Sequence, residues 1–325
     1  MVLITGGSGY IGSAVAAYLR HTGTDVLTVD TKPRNNSQWP DIPHVVGDVG
    51  DPGFIGGIFE RYPIDAVVHL AGLSIVPESM EFPRRYIQHN VLDTMGLLEA
   101  MRLHSVKSLV FSSSAAVYGD VSMVPIRETT PLHPTSAYGL SKVFCEQLLQ
   151  WSSDAWGLRS ISLRYFNAAG GIPEWGVCEK HHPETHLIPS LITRLRNREP
   201  FYLTGSDFST PDGTAVRDFV HVMDIAIAHG KALAGLEAGV QGTFNIGSGT
   251  GHSVREVMST VQALAGKTVD VEILARRPGD PPILVADIEA VADALGWTPQ
   301  HSALDHIVAT ALASTEASTG AAGSL

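Results

Sequence analysis

The first twelve residues place the strongest constraint on how this chain folds. The apolar run 2–4 leads directly into Thr-Gly-Gly-Ser-Gly-Tyr-Ile-Gly at 5–12, and glycines at this spacing allow a strand to turn sharply into a helix. Such a turn holds a dinucleotide pyrophosphate, because the backbone can approach the phosphates and the helix N-terminus favours negative charge. The segment therefore predicts a dinucleotide-binding turn that includes Gly6, Gly9, Tyr10, Ile11 and Gly12.

An acidic residue further along distinguishes between the two nicotinamide cofactors. Asp30 ends the apolar run 26–29, where a carboxylate accepts hydrogen bonds from the adenosine ribose hydroxyls and repels a 2′-phosphate. We therefore expect NAD rather than NADP. We expect Lys32 and Arg34, which follow closely, to be solvated loop charges.

A second motif predicts the chemistry. Residues 136–142 read SAYGLSK, which places Tyr138 and Lys142 on one face of a helix. A free phenol has a pKa of about 10, and we expect the ammonium and a positive nicotinamide ring to favour the phenolate. Ser114 ends the preceding predicted strand and is placed to share the substrate's proton. Tyr-x-x-x-Lys alone is common by chance, but after a dinucleotide turn it indicates hydride chemistry on a hydroxyl.

The first half of the chain alternates strand-like and helix-like segments. Apolar runs at 26–29, 45–46, 66–70 and 108–111 each end in small or polar residues, and helix-length segments such as 84–103 and 136–156 lie between them. This pattern is typical of a parallel sheet buried on both faces, with its ligand at the carboxyl ends of the strands. We predict an α/β fold, with a doubly wound parallel-sheet Rossmann domain and a smaller α/β substrate domain.

The second half loses this rhythm, which suggests a domain division. Segments 172–183 and 206–213 are rich in Pro, Gly and polar residues, as in loops that close over a substrate. We expect the NAD-binding Rossmann domain at 1–166, with a return to it around 219–250 because 243–247 resembles a strand. Residues 167–218 and 251–314 then form the substrate domain. The small and polar residues 315–325 are expected to form a flexible tail.

Composition excludes several classes of function. The net charge of −11 and the isoelectric point near 5.6 argue against a nucleic-acid-binding surface. The first predicted strand begins at residue 2 and no apolar stretch is long enough to span a bilayer, so we expect neither a signal peptide nor a membrane partner. Cys145 and Cys178 do not make a disulfide framework. We therefore expect a reducing, cytoplasmic location.

Together with these features, eleven motifs along nearly the whole chain carry a resemblance to a known family. The chain resembles the UDP-glucose/UDP-galactose 4-epimerases of the extended short-chain dehydrogenase/reductase superfamily. The motifs are TGGSGYIGS at 5–13, GDV at 47–49, HLAGL at 69–73, HNV at 89–91, FSSSAAVYGD at 111–120, SAYGLSK at 136–142, LRYFNAAG at 163–170, PETHLIP at 183–189, DGTAVRDFVHVMD at 212–224, FNIGSG at 244–249 and RRPGD at 276–280. PETHLIP and DGTAVRDFVHVMD are specific to the epimerases, whereas the earlier motifs are shared more widely.

The resemblance implies a mechanism and a set of site residues. Tyr138 removes the proton of the sugar 4-hydroxyl while the C4 hydride passes to NAD, and the 4-keto sugar turns over to take the hydride back on its other face. The implied cofactor-binding residues are Gly6, Gly9, Tyr10, Ile11, Gly12, Asp30, Asp48, Val49, Leu70, Ala71, Gly72, Asn90, Ser112, Tyr138, Lys142 and Phe166. The implied substrate-binding residues are Ser114, Tyr138, Asn167, His186, Leu187, Tyr202, Thr204, Arg217, Arg277, Asp280 and Leu284. Within this set the arginines contact the diphosphate, Asp280 a ribose hydroxyl and strand 202–204 the uracil.

Two departures from the family pattern leave the sugar open. Ser74 stands where relatives commonly carry Lys, and Leu284 stands where Tyr or a small residue helps to set the room for the sugar's 2-substituent. We predict interconversion of UDP-glucose and UDP-galactose with some tolerance of the N-acetylated pair. A UDP-N-acetylglucosamine or UDP-glucuronate 4-epimerase is the alternative.

Two further functions fit the residues less well. A dTDP-glucose 4,6-dehydratase normally carries Asp-Glu after its Ser or Thr, whereas Ala115 and Ala116 follow Ser114 here. A non-catalytic NAD-sensing protein typically lacks the Tyr or the Lys of the second motif, and this chain has both. The partners we expect are a UDP-sugar and a second copy of the chain in a homodimer.

A histidine-rich segment invites a metal hypothesis. His181, His182 and His186 lie near Glu179 and Glu184 in sequence, but their spacing fits no regular ligand pattern. We therefore expect no metal ion, and we expect His186 to belong to the substrate loop.

Overall fold

Short strands provide the framework of the molecule. The computed structural model describes residues 1–34, 39, 41–121, 123–179, 184–276 and 280–320, with 316–320 described by their backbone only. The strands of these residues, numbered in chain order, are β1 (Val2–Thr5), β2 (Val26–Asp30), β3 (His44–Val46), β4 (Ala66–His69), β5 (Ser108–Ser114), β6 (Arg159–Tyr165), β7 (Asn167–Ala169), β8 (Phe201–Thr204), β9 (Val216–His221), β10 (Gly242–Ile246), β11 (Gly251–Ser253), β12 (Val271–Leu274) and β13 (Ile283–Leu284).

Seven of these strands form one sheet in which every pair is parallel. Their order is β10-β6-β5-β4-β1-β2-β3. The strand order reverses at β1, between β2 and β4, which is where doubly wound folds bind their ligands. The predicted α/β fold with a parallel sheet is confirmed, and the apolar runs that predicted β2 to β5 are all strands of this sheet.

Helices connect the strands and cover the sheet. They are α1 (Tyr10–His21), α2 (Pro52–Arg61), α3 (Val76–Glu81), α4 (Pro83–Tyr86), α5 (Asp93–Leu103), α6 (Ala137–Trp156), α7 (Leu187–Asn197), α8 (Val222–Glu237), α9 (Val254–Ala265), α10 (Glu289–Leu295) and α11 (Leu304–Gly320). A π-helical segment at Ile87–Leu92 and 3₁₀ turns at Ala115–Val117 and Pro173–Trp175 complete the described elements.

Alternating residues of the central strands pack into two separate cores. Ile4 and Val68 belong to a core that includes Val15 of α1 and other apolar residues of α1 and α8. Their neighbours Leu3 and Val67 belong to a second core with residues of α2 and α5. Since successive side chains of a strand point to opposite faces, the helices cover both faces of the sheet.

Smaller sheets lie outside the seven-stranded one. β9 pairs antiparallel with β11 and parallel with β13 and β7, and β8 pairs with β12 in a separate parallel pair. A third apolar core joins residues of α7, α9 and α11. The residues 242–246 return to the central sheet beside β6, while the division of the chain into two domains stays a prediction.

Two elements differ from the sequence-based expectations. The predicted helix 84–103 contains the π-helical segment, whose wider turn is a deviation that often marks a functional site. Helix α11 continues to Gly320, so the backbone of residues 315–320 is helical, while the flexibility of the tail stays a prediction. The hydroxyl of Thr315 donates to the Ala311 carbonyl at 2.7 Å, a local bond that the helix accommodates. Residues 321–325 lie outside the described residues.

None of the helices in the described part of the chain combines the length and the apolar character that a membrane span requires.

Candidate active site

The glycine turn after β1 is as tight as its sequence predicts. A Cβ on Gly12 would lie 2.0 Å from the Gly6 carbonyl oxygen, and Gly6 itself has φ +73° and lies against the backbone of Ala71. Only glycine permits both approaches. Helix α1 therefore begins at Tyr10, directly above the carboxyl end of β1, with Gly9 as its N-cap and Ile11 in its first turn.

Asp30 closes one side of this turn. Its carboxylate accepts hydrogen bonds from the Ser8 and Lys32 amides, each at 3.0 Å. The side chain is thereby held beside the glycine turn, as expected of a ribose-binding carboxylate. Lys32 is exposed as expected, but Arg34 is partly buried, and this burial lowers its pKa. The expectation that Arg34 is a solvated charge is wrong.

The ends of β3 and β4 supply the neighbouring loops. The Asp48 carboxylate accepts a hydrogen bond from the Gly50 amide at 2.9 Å, and Val49 is buried. After β4, the amides of Leu70 and Ala71 both donate to the Thr5 hydroxyl oxygen at 3.3 Å. The loop that carries these predicted cofactor contacts is therefore bonded to the end of β1.

Asn90 fastens the far end of that loop. Its side-chain amide accepts from the Leu73 amide at 2.8 Å and donates to the Leu73 carbonyl and the Ser141 hydroxyl, each at 3.0 Å. A Cβ on Gly72 would lie 3.0 Å from the Asn90 side-chain oxygen and 3.9 Å from the Lys142 ammonium. Asn90, Gly72 and Lys142 are thus brought together from three separate motifs.

Tyr138 lies in the first turn of α6, which passes close to the end of β5. Ser136 caps this helix by accepting a hydrogen bond from the Gly139 amide at 3.1 Å. A Cβ on Gly139 would lie 2.4 Å from the Ala116 carbonyl oxygen, so glycine is needed for the helix to approach the 3₁₀ turn that follows Ser114. This approach places the buried Tyr138 phenol against the Ser114 hydroxyl.

Lys142 follows one turn later and is 5% exposed. Its ammonium donates to the Ser112 carbonyl at 2.8 Å and lies 4.9 Å from the Phe111 ring centre and 5.8 Å from that of Tyr138. Burial lowers the pKa of Lys142, whereas the nearby Cys145 and Glu146 raise it. The ring faces and the carbonyl stabilise the ammonium within the protein.

The electrostatics of Tyr138 combine two opposing effects. Burial raises the pKa of the Tyr138 phenol, and among the protein's own groups it is the Ser114 hydroxyl that lowers it. The Lys142 ammonium is bonded to the Ser112 carbonyl and lies 5.8 Å from the centre of the Tyr138 ring. Its expected support of the phenolate stays a prediction, because spacing on a helix face does not reveal which strand end the longer side chain reaches.

A buried ion pair holds α6 to the sheet on the turn after Lys142. The Glu146 carboxylate accepts from the Arg164 guanidinium of β6 at 2.9 and 2.6 Å and from the Ser113 hydroxyl at 2.6 Å. Arg164 also donates to the Tyr118 hydroxyl at 2.8 Å. A buried pair of this kind is costly to break, because the remaining charge is left without its partner. It fixes the position of α6 relative to the strand ends.

Two aromatic residues connect the glycine turn and β5 to later segments. The Tyr10 hydroxyl donates to the carbonyl of Gly170, the residue that follows β7, at 2.7 Å. Phe166 is buried in a small apolar cluster with Val117 and Tyr118, against which Leu284 packs. Through this cluster Phe166, a predicted cofactor contact, lies close to Leu284, the residue predicted to contact the sugar.

The segment around β9 brings predicted substrate residues together. The Arg217 guanidinium pairs with the Asp280 carboxylate at 2.5 Å, and Leu284 is the strand partner of Arg217. The Asn167 side chain donates to the carbonyl of Asp218 at 2.8 Å. Arg277, the second predicted diphosphate ligand, lies outside the described residues.

The remaining predicted substrate residues lie on two further elements. His186 is the N-cap residue of α7 and Leu187 its first residue. Tyr202 and Thr204 lie on β8 in the two-stranded sheet, where the Arg194 guanidinium stacks 4.7 Å from the centre of the Tyr202 ring.

The histidine-rich segment forms a compact cluster. His181 and His182 lie outside the described residues, but Glu179, Glu184 and His186 offer ligand atoms within 4.8 Å of one another. The His186 ring bonds the Glu179 carboxylate, and the His186 amide donates to Glu184 at 2.9 Å. The fold thus brings together three groups whose spacing in the sequence indicated no site. Hydrogen bonds from His186 to the two glutamates hold the three groups close to one another.

One residue of the site was missed by sequence reasoning. His69 ends β4 and is 2% exposed, with both ring nitrogens bonded to threonine hydroxyls. It belongs to the HLAGL motif, and its position at a strand end beside the glycine turn was the available signal.

The residues present fit a bound NAD. The glycine turn leaves backbone where a side chain would obstruct a pyrophosphate, the N-terminus of α1 points at that space, and the Asp30 carboxylate is fixed beside it. Such a set of donors and one acceptor matches the phosphates and the ribose of a dinucleotide.

Comparisons with known proteins agree with this geometry. Residues 2–247 match the family model described as the NAD dependent epimerase/dehydratase family. A UDP-glucose 4-epimerase of Corynebacterium glutamicum is 42% identical over 319 residues, which cover 97% of this chain and 96% of that protein.

Several solved structures of similar proteins contain bound NAD. A UDP-glucose 4-epimerase from Brucella ovis in complex with NAD has a TM-score of 0.92 at 39% identity, covering 96% of this chain and 97% of that one. One from Stenotrophomonas maltophila, with bound NAD and formylated UDP-arabinopyranose, has a TM-score of 0.93 at 33% identity, covering 98% and 99%. The resemblance inferred from the motifs is confirmed. The chain belongs to the NAD dependent epimerase/dehydratase family, and NAD is its cofactor.

Proposed function

We propose that this protein is a 4-epimerase that interconverts UDP-glucose and UDP-galactose. The observation that carries the proposal is the contact between the buried Tyr138 phenol and the Ser114 hydroxyl, beside Lys142 and the dinucleotide turn. Bound at the glycine turn, Asp30 and Lys142, NAD would supply the hydride acceptor and donor for C4 of the sugar. The residues of the chain supply the proton transfers, the grip on the nucleotide and the space in which the sugar turns.

Tyr138 is the proposed acid and base. Its phenolic oxygen takes the proton of the 4-hydroxyl and later returns it, and the Ser114 hydroxyl shares that proton. Because burial raises the pKa of Tyr138, the phenolate depends on its surroundings, and the Ser114 hydroxyl is one protein group that favours it.

Lys142 holds the cofactor side of the site. Its ammonium is fixed by the Ser112 carbonyl and directed past the faces of Phe111 and Tyr138 towards Gly72. We assign it to the nicotinamide ribose, together with the positive field that favours the Tyr138 phenolate. The other proposed cofactor contacts are Gly6, Gly9, Tyr10, Ile11, Gly12, Asp30, Asp48, Val49, Leu70, Ala71, Gly72, Asn90, Ser112 and Phe166.

The diphosphate end of the substrate is assigned to the region around β9. Arg217 presents a guanidinium suited to bidentate phosphate contacts, and Asp280, its partner at 2.5 Å, is placed for a ribose hydroxyl. Strong binding there leaves the sugar free to turn, since little of the grip depends on the hexose. The other proposed substrate contacts are Asn167, His186, Leu187, Tyr202, Thr204, Arg277 and Leu284.

The proposed location is the cytoplasm. Cys145 and Cys178 are both free thiols, and Cys145 is fully buried. Unpaired cysteines are typical of a reducing compartment.

The proposed assembly is a homodimer. Leu92 and Met95 expose an apolar stripe before and on α5, and Leu140, Phe144 and Trp151 expose another along α6, which contacts the π-helical segment. A two-fold axis brings the same patch of two subunits together, so these apolar stripes can cover one another in a dimer. A second copy of the chain is therefore the occupant that we propose for this face.

Replacing the proposed base tests the reaction directly. Tyr138→Phe removes the phenolic oxygen but little of the grip on the nucleotide, so kcat should fall by about 10²- to 10⁴-fold, the usual contribution of a general acid–base group. Inversion at C4 of UDP-galactose, followed by proton NMR, measures the rate, and calorimetry with UDP should show unchanged affinity.

Two further variants sharpen this assignment. Tyr62→Phe removes a phenol distant from the motif and should leave the rate unchanged. Ser114→Ala removes the group that lowers the Tyr138 pKa, so the acid limb of the kcat profile should move to higher pH. Full turnover in Tyr138→Phe would refute the base assignment.

Leu284 is predicted to set the tolerance for the sugar's 2-substituent. Leu284→Tyr should lower kcat/KM for the N-acetylated pair by about 10- to 100-fold relative to UDP-glucose and UDP-galactose, since size discrimination in an apolar pocket is worth about 1–3 kcal/mol. Ile283→Leu, on the neighbouring residue of β13, is the matched control and should leave the ratio unaltered. An unchanged ratio in Leu284→Tyr would show that this position does not select the sugar.

A charge in the apolar face should separate the two subunits. Phe144→Glu places a carboxylate in the centre of the proposed contact, and sedimentation should detect a monomer where the wild type is a dimer. Ile273→Glu adds the same charge on β12, where Ile273 is exposed on another sheet, and should keep the wild-type state. A Phe144→Glu protein that remains dimeric would place the interface elsewhere.

A further inference from the structure

His69 connects the glycine turn to the helical side of the cofactor site. It is the strand partner of Thr5 on β1 and of Phe111 on β5. Its Nδ1 lies 2.7 Å from the Thr5 hydroxyl oxygen, and its Nε2 lies 2.9 Å from that of Thr94 on α5. Both hydrogen bonds are buried. Water therefore does not compete for the two threonine hydroxyls, and the imidazole is their partner.

The direction of each hydrogen bond in this network is determined. The Thr94 hydroxyl donates to the Asn90 carbonyl at 2.6 Å, so its oxygen accepts from His69 Nε2–H. A neutral imidazole carries one N–H. His69 Nδ1 is therefore an acceptor, and the Thr5 hydroxyl donates its proton to it.

This orientation leaves the Thr5 oxygen free to accept two further hydrogen bonds. With its proton on His69, the Thr5 oxygen directs its lone pairs to the amides of Leu70 and Ala71, both at 3.3 Å. At the other end, the Thr94 hydroxyl holds the Asn90 carbonyl within the π-helical segment. The Cys145 thiol of α6 donates to the same carbonyl at 3.0 Å.

The network works only with a neutral His69. Burial and the nearby Lys142 ammonium lower the pKa of His69 to about 3, so the ring stays neutral at physiological pH. A proton on Nδ1 would face the Thr5 hydroxyl with a second donor, and that hydroxyl would have to turn towards the amides that donate to it. Charge on His69 would therefore disrupt both ends of the loop.

We propose that His69 is a positioning residue that holds the Leu70–Leu73 loop and Asn90 in the geometry that binds NAD. It touches neither substrate nor cofactor and acts through two threonine hydroxyls. The Asn90 side chain fastens Leu73 and Ser141, so the network spans the loop from its first amide to its last. The proposal rests on the assignment of this loop to the cofactor site.

The test compares two replacements of His69 by the rate at which NAD leaves the protein. His69→Gln keeps a donor for Thr94 and an acceptor for Thr5 at nearly the same separation, and its rate of NAD release should stay within about threefold of wild type. His69→Leu keeps apolar bulk but loses both bonds, and its release should be about tenfold faster, which corresponds to about 1.4 kcal/mol. Calorimetry with UDP should show equal affinity in all three proteins, which separates this effect from general unfolding.

A double-mutant cycle tests whether the residues act as a unit. Thr94→Val should accelerate NAD release about as much as His69→Leu, and the double variant should add little to either, because the two changes remove the same network. Thr260→Val on α9 is the matched control. The Thr260 hydroxyl also donates to a carbonyl one turn back, that of Glu256 at 3.0 Å, and its loss should leave NAD release unchanged.

Nitrogen NMR supplies a readout that does not require the cofactor. The His69 ring should show the Nε2-protonated neutral tautomer without titration from pH 5 to pH 8. Titration within this range, the other tautomer, or NAD release that is equal in His69→Leu and wild type would overturn the proposal. So would a His69→Gln protein that behaves as His69→Leu. Wild-type protein unable to hold NAD would instead refute the cofactor assignment, so the two failures are distinguishable.

Discussion

The close crossing of the first strand and the first helix is the constraint on which the rest of the site depends. A Cβ on residue 12 would lie 2.0 Å from the Gly6 carbonyl oxygen, which is too close for any side chain. Because residue 12 is a glycine, α1 can begin immediately above the end of β1. Its N-terminus therefore faces the carboxyl edge of the sheet, at the point where strand order reverses. Parallel pairing brings the ends of β4 and β5 to the same edge. The dinucleotide turn and the hydroxyl of Ser114 are thereby positioned by backbone geometry.

Helix α6 completes this arrangement through three anchors on successive turns. Gly139 lets the helix contact the Ala116 carbonyl, Lys142 reaches the carbonyl of Ser112, and Glu146 forms its buried pair with Arg164. Each anchor ends on β5, on the turn that follows it or on the neighbouring strand β6. The phenol of Tyr138 therefore has a fixed position relative to Ser114, as proton transfer requires. This fixed placement of the reacting groups contrasts with the proposed contacts to the nucleotide, which lie elsewhere, around β9.

The features that the sequence predicts correctly are those determined by residues close together in the chain. The glycine turn, the placement of Asp30 beside it and the capped start of α6 follow from local rules, and each is where its motif indicates. The missed features depend on contacts between distant residues. Lys142 bonds a carbonyl 30 residues away, and Arg217 pairs with a carboxylate 63 residues away. His69 was overlooked for the same reason, since its role emerges only when Thr5 and Thr94 close on its two nitrogens. No periodicity in the chain signals the π-helical turn that presents Asn90.

In the proposed reaction the C4 hydrogen leaves and returns within one active site. UDP-galactose deuterated at C4 tests it most directly, with the product examined by NMR and mass spectrometry in ordinary water. UDP-glucose that retains its deuterium at C4 is expected, because hydrogen transferred as hydride stays bonded to carbon, does not exchange with water and returns to the other face of the same sugar. Inversion accompanied by loss of the deuterium to water would contradict it, as would a product whose C4 oxygen has been exchanged.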